Sequence, residues 1–341
     1  MSEPVDPRQG AVDPTSGTPA RRPGSIRRTS TIDSSRPDGI VGPLRQLGRA
    51  RDLRTAPDGT ATAIAEAELH VDTDAVNGNI VRALSITPPV DGLDAFVGAR
   101  AGGGFRKILD LQTSAERGSL AYLLLDDVPG ATLVSGYATS IAADRGDPEL
   151  ADFRARMREA TPRLQVPDLC AGWQEGGTLL HNLLDGGPPA TVGPVAPSVL
   201  DDGDPDAWHR LEPLGPDAMR RARRIDVWRD DLVHVDVFFR NSMMHRDGSE
   251  TAVHEYTLEA AVDPVTMTVV MCRAEPRVLP WRECPQAIGS ASRIVGWEVE
   301  QLRPEVRTQL VGPTTCTHLN DVLRGLEDVA WLADELNRLP T

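Results

Sequence analysis

The chain has 341 residues, 40% hydrophobic and 25% charged, which fits two domains of ordinary size better than one. A formal net charge of −14 argues against general electrostatic affinity for nucleic acid or an anionic membrane, and four cysteines at unrelated spacings do not make a disulfide framework. No apolar run approaches the roughly 18 residues of a membrane span, and the polar start Met1-Ser2-Glu3-Pro4 has no secretory h-region, so a cytoplasmic chain with reduced thiols is expected.

Residues 1–26 are rich in Pro, Gly, Ser, Thr and Arg and read as a disordered tail. Its basic end, Arg21-Arg22-Pro23-Gly24-Ser25-Ile26-Arg27-Arg28, reads as solvated, with a docking arm as the alternative. Order is expected from near Thr29. From there two segments share a pattern. With Asp58-Gly59 placed on Asp247-Gly248, residues 58–81 match 247–270 without a gap, and nine of the 24 positions are identical. Unrelated sequences would share about one or two. Upstream, Arg27-Arg28 and Ile32-Asp33 correspond to a second arginine cluster and Ile225-Asp226. Downstream, Val97-Gly98 corresponds to Val295-Gly296, and Leu125-Asp126-Asp127-Val128 to Leu326-Glu327-Asp328-Val329. An internal duplication follows, with a first repeat over 27–131 and a second over 220–332 that extends to the end of the chain.

Each repeat begins with an Arg-rich strand. The Asp-Gly turn leads into an alternating run, with Ala252, His254, Tyr256 and Leu258 on one side and Thr251, Val253, Glu255 and Thr257 on the other. The turn Val262-Asp263-Pro264 leads to a β-rich run, Met267–Cys272. Helices follow, and the last is marked by Leu319, Val322, Leu323, Leu326, Val329, Ala330 and Leu332 at helical spacing. Residues 132–219 read as a linking region. A helix opens there at Asp147-Pro148, and a Pro/Gly-rich loop runs to Pro197. The expected fold is α+β: two similar strand-then-helix halves forming a pseudo-two-fold fused dimer.

The second repeat carries an Arg-led strand, an Asp-Gly hairpin, Cys284 after a Pro-containing turn, Val295-Gly296, and Cys316-Thr317-His318-Leu319 opening the last helix. In this order of features it resembles a bacterial family known as a domain of unknown function. The resemblance covers about a third of the chain well. The first repeat shares the strand pattern but not the cysteines. The family's usual glycine just before Cys-Thr-His-Leu is Thr315 here, with Gly312 slightly earlier. No activity comes with the resemblance, which bears on where a site lies.

Cys316 at a helix start faces unpaired N–H groups and the positive dipole end, so a thiolate is expected there. His318 would carry a proton or bind a metal. Cys284, at another helix start, is the second catalytic thiol. Alternatively Cys284, Cys316 and His318 form a three-ligand zinc or iron site, which Cys272 would complete. A thiol nucleophile and a redox pair both remain open. In the first repeat Cys316 and His318 fall opposite Ala115 and Arg117, which favours one working site and one structural one. Arg223 and Arg224, from the cluster Arg220–Arg224, and His254 are candidates for holding an anionic substrate. No G-x-S-x-G, P-loop or H-E-x-x-H motif is present. The expected function is a cytoplasmic enzyme acting on a small organic, anionic substrate, its reaction class unassigned. The alternative is a non-catalytic ligand-binding, metal-carrier or assembly protein. Oligomeric state is open.

Overall fold

The alternating runs assemble into one eight-stranded antiparallel sheet. The structure is a computed structural model that describes residues 13–75, 77–144, 146, 150, 167–185, 187–200 and 203–338. Strands β1 (Ser25–Ser35), β2 (Leu44–Thr55), β3 (Ala61–Asp74) and β4 (Ile80–Thr87) form one meander. Strands β5 (Met219–Arg229), β6 (Val233–Met244), β7 (Glu250–Val262) and β8 (Val269–Val278) form a second. The spatial order is β4-β3-β2-β1-β5-β6-β7-β8, so the two leading strands pair at the centre, with Ser30 opposite Arg223. The expected Asp-Gly turns join β2 to β3 and β6 to β7. Gly59 and Gly248 sit there at φ +88° and +85°, which a side chain would strain.

Six α-helices fall among the described residues: α1 (Phe105–Gln112), α2 (Leu120–Asp144), α3 (Thr178–Leu184), α4 (Leu302–Gln309), α5 (Thr317–Gly325) and α6 (Asp328–Asn337). Helix α2 and the C-terminal helices cover one face of the sheet. On that face Ile225, Val227, Val235, Val237 and Phe239 join Leu319, Val322, Leu323 and Val329 in one core. Ile32, Ala50 and Leu69 pack on Phe105, Leu124 and Val128 in another. No helix among the described residues is long and apolar enough to cross a membrane.

Three expectations of chain organisation change. The boundary between the first repeat and the linking region, at 131/132, falls inside α2. The helix runs through Pro129-Gly130 and continues because Val134, Ala138 and Ile141 bury against Met219 and Met243. An interior proline costs about 3 kcal/mol in an isolated helix, and here tertiary burial outweighs it. The single last helix is two, α5 and α6, interrupted at Leu326-Glu327. The tail expected over 1–26 is packed from residue 13 onward. The Thr15 amide donates to Glu255, Arg21 pairs with Asp204, and the Trp208 indole donates to Thr18. With the 203–212 segment, this arm covers the sheet face opposite the helices, where Trp208 packs on Ala222 and Phe238. Residues 1–12 lie outside the described residues, as does most of the helix expected at Asp147-Pro148.

Where α2, α5 and α6 meet β1 and β5, the core is ionic. Arg28, Arg106, Arg221, Arg223, Arg303 and Arg324 interlock with Asp52, Asp126, Asp127, Asp321, Glu327 and Asp328, six charges of each sign. Buried charges are tolerated only when paired in this way.

Candidate functional site

The helix face of β7 carries His254 and Tyr256, as the alternation requires. Glu255 points to the other face, where its carboxylate accepts from Arg240 Nε at 2.6 Å. Above β7 lies the start of α5. Gly312, at φ +80°, makes the turn that precedes it, and the Thr315 hydroxyl donates back to the Gly312 carbonyl at 2.9 Å. Gly312 makes no close approach that a Cβ would block, so it does not replace a glycine at 315 in that respect. Cys316 is the N-cap residue of α5, and His318 stands in its first turn.

These elements bring His254 and His318 face to face, their ring centroids 3.6 Å apart and their planes 21° from parallel. Tyr137 of α2 meets the edge of His254 at 5.7 Å. The Tyr256 hydroxyl donates to Cys316 Sγ at 3.2 Å. Cys284 opens the 3₁₀ segment Cys284–Ile294. Its sulfur lies so close to Gly172 that a Cβ there would stand 2.8 Å away. Cys170, two residues before Gly172, joins the cluster because the Ala171 amide donates to the Thr315 carbonyl at 2.8 Å.

Burial governs the protonation states. Cys316 is pushed up to about 11 by burial, with Cys170 adding to the effect. Cys284 is raised by burial and by Cys316 and Cys170. The expected thiolate is therefore corrected: the dipole of a nine-residue helix does not offset removal from water, and both thiols are neutral at pH 7. His318 is lowered to about 4 by burial, against the opposing pull of Asp321. His254 is lowered well below its ordinary value by burial and by His318. Both imidazoles are neutral at pH 7.

Of the residues expected at the site, the structure brings together Cys316, His318, Cys284 and His254. Arg223 and Arg224 alternate to opposite faces of β5. Arg223 is held by Asp127 at 2.9 and 3.1 Å and by the Asp321 carbonyl at 3.1 Å. Arg224 pairs with Asp236 and Asp226. Neither arginine is left to hold a substrate anion, since each is committed to carboxylates of the chain. Cys272 pairs with Ala260 on β7, four residues beyond Tyr256. Among the described residues no group of three or more His, Cys, Asp and Glu is arranged to hold a metal ion, and Cys284, Cys316 and His318 form no such set. A surface cleft of about 370 Å³, lined by Leu211, Arg220, Arg240, Ser242 and Glu250, lies on the opposite sheet face and does not reach the cluster.

Sequence reasoning missed Cys170, Tyr137 and Asn241. Cys170 and Tyr137 lie in the region read as linking and carry no local signal. Asn241 had one. It continues the inward series Val233, Val235, Val237, Phe239 on β6, where a polar residue is out of place.

The fold is thus an α+β protein with an antiparallel sheet, helices on one face and a buried thiol–imidazole cluster beneath them. Residues 219–332 match the model of a family described as a protein of unknown function, DUF2889. The match supports an uncharacterised domain family over the second half alone, from the start of β5 to within α6, and includes Cys284, Cys316 and His318. No curated protein and no solved structure matches the chain.

Proposed function

We propose that the chain is a cytoplasmic enzyme acting on a small organic molecule at the Cys/His cluster of its second half. The observation that carries this reading is the stacked pair His254–His318 beside Cys316 and Tyr256. A neutral imidazole accepts a proton from a bound molecule and, once protonated, returns it. Stacking keeps a second proton off the pair, since two imidazolium rings at 3.6 Å would repel. In the first half the matching positions are Ala65, Ala115 and Arg117, none of which supplies an imidazole or a thiol. Neutral thiols favour the second reading, a non-catalytic ligand-binding or assembly module. Consumption of pooled small amides, alcohols and carboxylic acids, followed by NMR, separates the two. Turnover that disappears in a folded His318→Asn variant supports the enzyme; equal turnover by that variant removes the site.

The reading includes a fused pseudo-dimer. Its support is a reciprocal exchange of ion pairs. Arg27 binds Asp226 through two bonds of 2.6 and 2.9 Å, and the matching Arg220 binds Asp33 through two of 2.7 and 2.6 Å. Arg28 reaches Asp328 at 2.9 Å, and Arg221 reaches Asp127 at 3.1 Å. Each half neutralises the other's arginines. Matching backbone bonds add to this: Gly98 to Val81 and Gly296 to Val269, at 2.9 and 2.8 Å, then Ala101 to Asn79 and Val299 to Met267, at 2.8 and 2.9 Å. On this pairing Val81 matches Val269, one residue off the ungapped alignment.

A further inference from the structure

One row across the helix face of the sheet holds Arg221 on β5, Asn241 on β6 and His254 on β7, neighbours in strand register. Asn241 is fully buried, yet neither its Oδ1 nor its Nδ2 has a hydrogen-bond partner among the described residues. Nδ1 of His254 has none. Arg221 uses Nη2 on Asp127 and Asp321, at 3.1 and 2.6 Å, and leaves Nη1 and Nε without a partner. Leaving a buried polar atom unmet is destabilising, so an Asn with both amide atoms bare, between two more incomplete groups, is poor structural design. Val or Leu at 241 would continue the apolar series and remove the cost.

We infer that Asn241, Arg221 and His254 form the receptor for one small neutral group carrying both a hydrogen-bond acceptor and a donor, a carboxamide being the simplest. This rests on the reading of the neighbouring His254–His318 cluster as a site and names the class of substrate head it takes. The carboxamide carbonyl accepts from Asn241 Nδ2 and from Arg221. Its N–H donates to Asn241 Oδ1 or to His254 Nδ1. The charge balance sets the class. Arg221 is already matched by Asp127 and Asp321, so a carboxylate would meet two like charges and a cation would meet the guanidinium. Phe239 closes the other side of Arg221, with its ring centroid 4.6 Å from the guanidinium carbon. His318, at 9% exposure, and the partly buried Tyr137 both stand against His254 and mark the side of entry.

The test uses the full chain and formamide as probe, with acetate as the charged control. Formamide is expected to shift the Asn241 side-chain amide resonances and to appear in soaked crystals against Oδ1 and Nδ2. Acetate at equal concentration is expected to do neither. Asn241→Leu should abolish the formamide response and melt at the same temperature or higher. If it fails to fold, Asn241→Ser, smaller and polar, should weaken the response at least tenfold. Ordered water alone at Asn241 in the presence of formamide, or acetate binding as well as formamide, overturns the inference. Formamide bound in a chain that turns nothing over keeps the receptor and ends the enzyme reading. Turnover with no formamide at Asn241 does the reverse.

Discussion

At the scale of single residues, burial decides the chemistry. A helix-start cysteine is ordinarily a reason to expect a thiolate, but Cys316 is 4% exposed and its thiol is pushed up to about 11. We predict that Cys316 reacts slowly with an aromatic disulfide at pH 7 and faster toward pH 11; rapid reaction of the folded chain at pH 7 would contradict the assignment. The histidines give a second prediction. His318 is lowered to about 4 from an ordinary value near 6.5, so the unfolded chain holds more protons than the folded one between those values. Stability is therefore present above about pH 6.5 and falls as pH drops toward 4, by on the order of 3 kcal/mol for His318. His209, lowered to about 3 by burial and nearby arginines, acts in the same direction. Urea melts at pH 7 and pH 5 should converge for His318→Asn relative to the native chain; an unchanged difference would show that His318 is not buried neutral. Asp127 provides the third. Its carboxylate serves both Arg221 and Arg223. Asp127→Asn is expected to cost about 3–5 kcal/mol in urea unfolding.

At the scale of elements, close approach depends on glycines that local propensity disfavours. Gly325 ends α5 directly above Arg223, where a Cβ would stand 2.0 Å from Nη1. Gly325→Ala is expected to dislodge the guanidinium from Asp127 and to cost about 1–3 kcal/mol or more. Thermal melting reads this directly, and an unperturbed midpoint would show that α5 can lift away from β5. The strand pattern was legible at this scale. The side of β7 that carries His254 and Tyr256 follows from period-two alternation, and both Asp-Gly turns follow from their residues. Strand β2 was not separated from its neighbours, because an Arg-rich strand alternates charge with charge and shows no apolar face; β6 has an apolar face in Val233, Val235, Val237 and Phe239 and was not read as a separate strand. In Arg49 and Arg51 against Gly48 and Ala50, for example, the inward residues are small, not large and apolar. The run of α2 past Pro129 was hidden for a related reason. Its helical state rests on partners in β5 and β6 that the local sequence does not contain.

At the scale of the molecule, exchanged ion pairs predict mutual dependence of the halves. A fragment of residues 203–341 would leave Arg220 and Arg221 without Asp33 and Asp127. We expect it to be unfolded alone and to recover structure when co-expressed with 1–202; circular dichroism of the isolated fragment is the check, and a cooperative melt would refute the dependence. The expectation rests on β5, the first strand of the family-matched residues 219–332, which pairs with β1 of the other half.

By itself the sequence determined the α+β class, the alternating strands and the two Asp-Gly turns, and it marked the stretch around Cys284, Cys316 and His318 as a candidate place for a site. Those features are written in periodicity, turn residues and local spacing. Only the tertiary structure decided that Cys170 and Tyr137 join that stretch, that Arg223 and Arg224 are committed to carboxylates on opposite faces, that the thiols are neutral, and that Asn241 stands bare between Arg221 and His254. Each of these depends on what a distant segment places within a few ångströms and on how much water it removes. Local residue type does not encode either quantity.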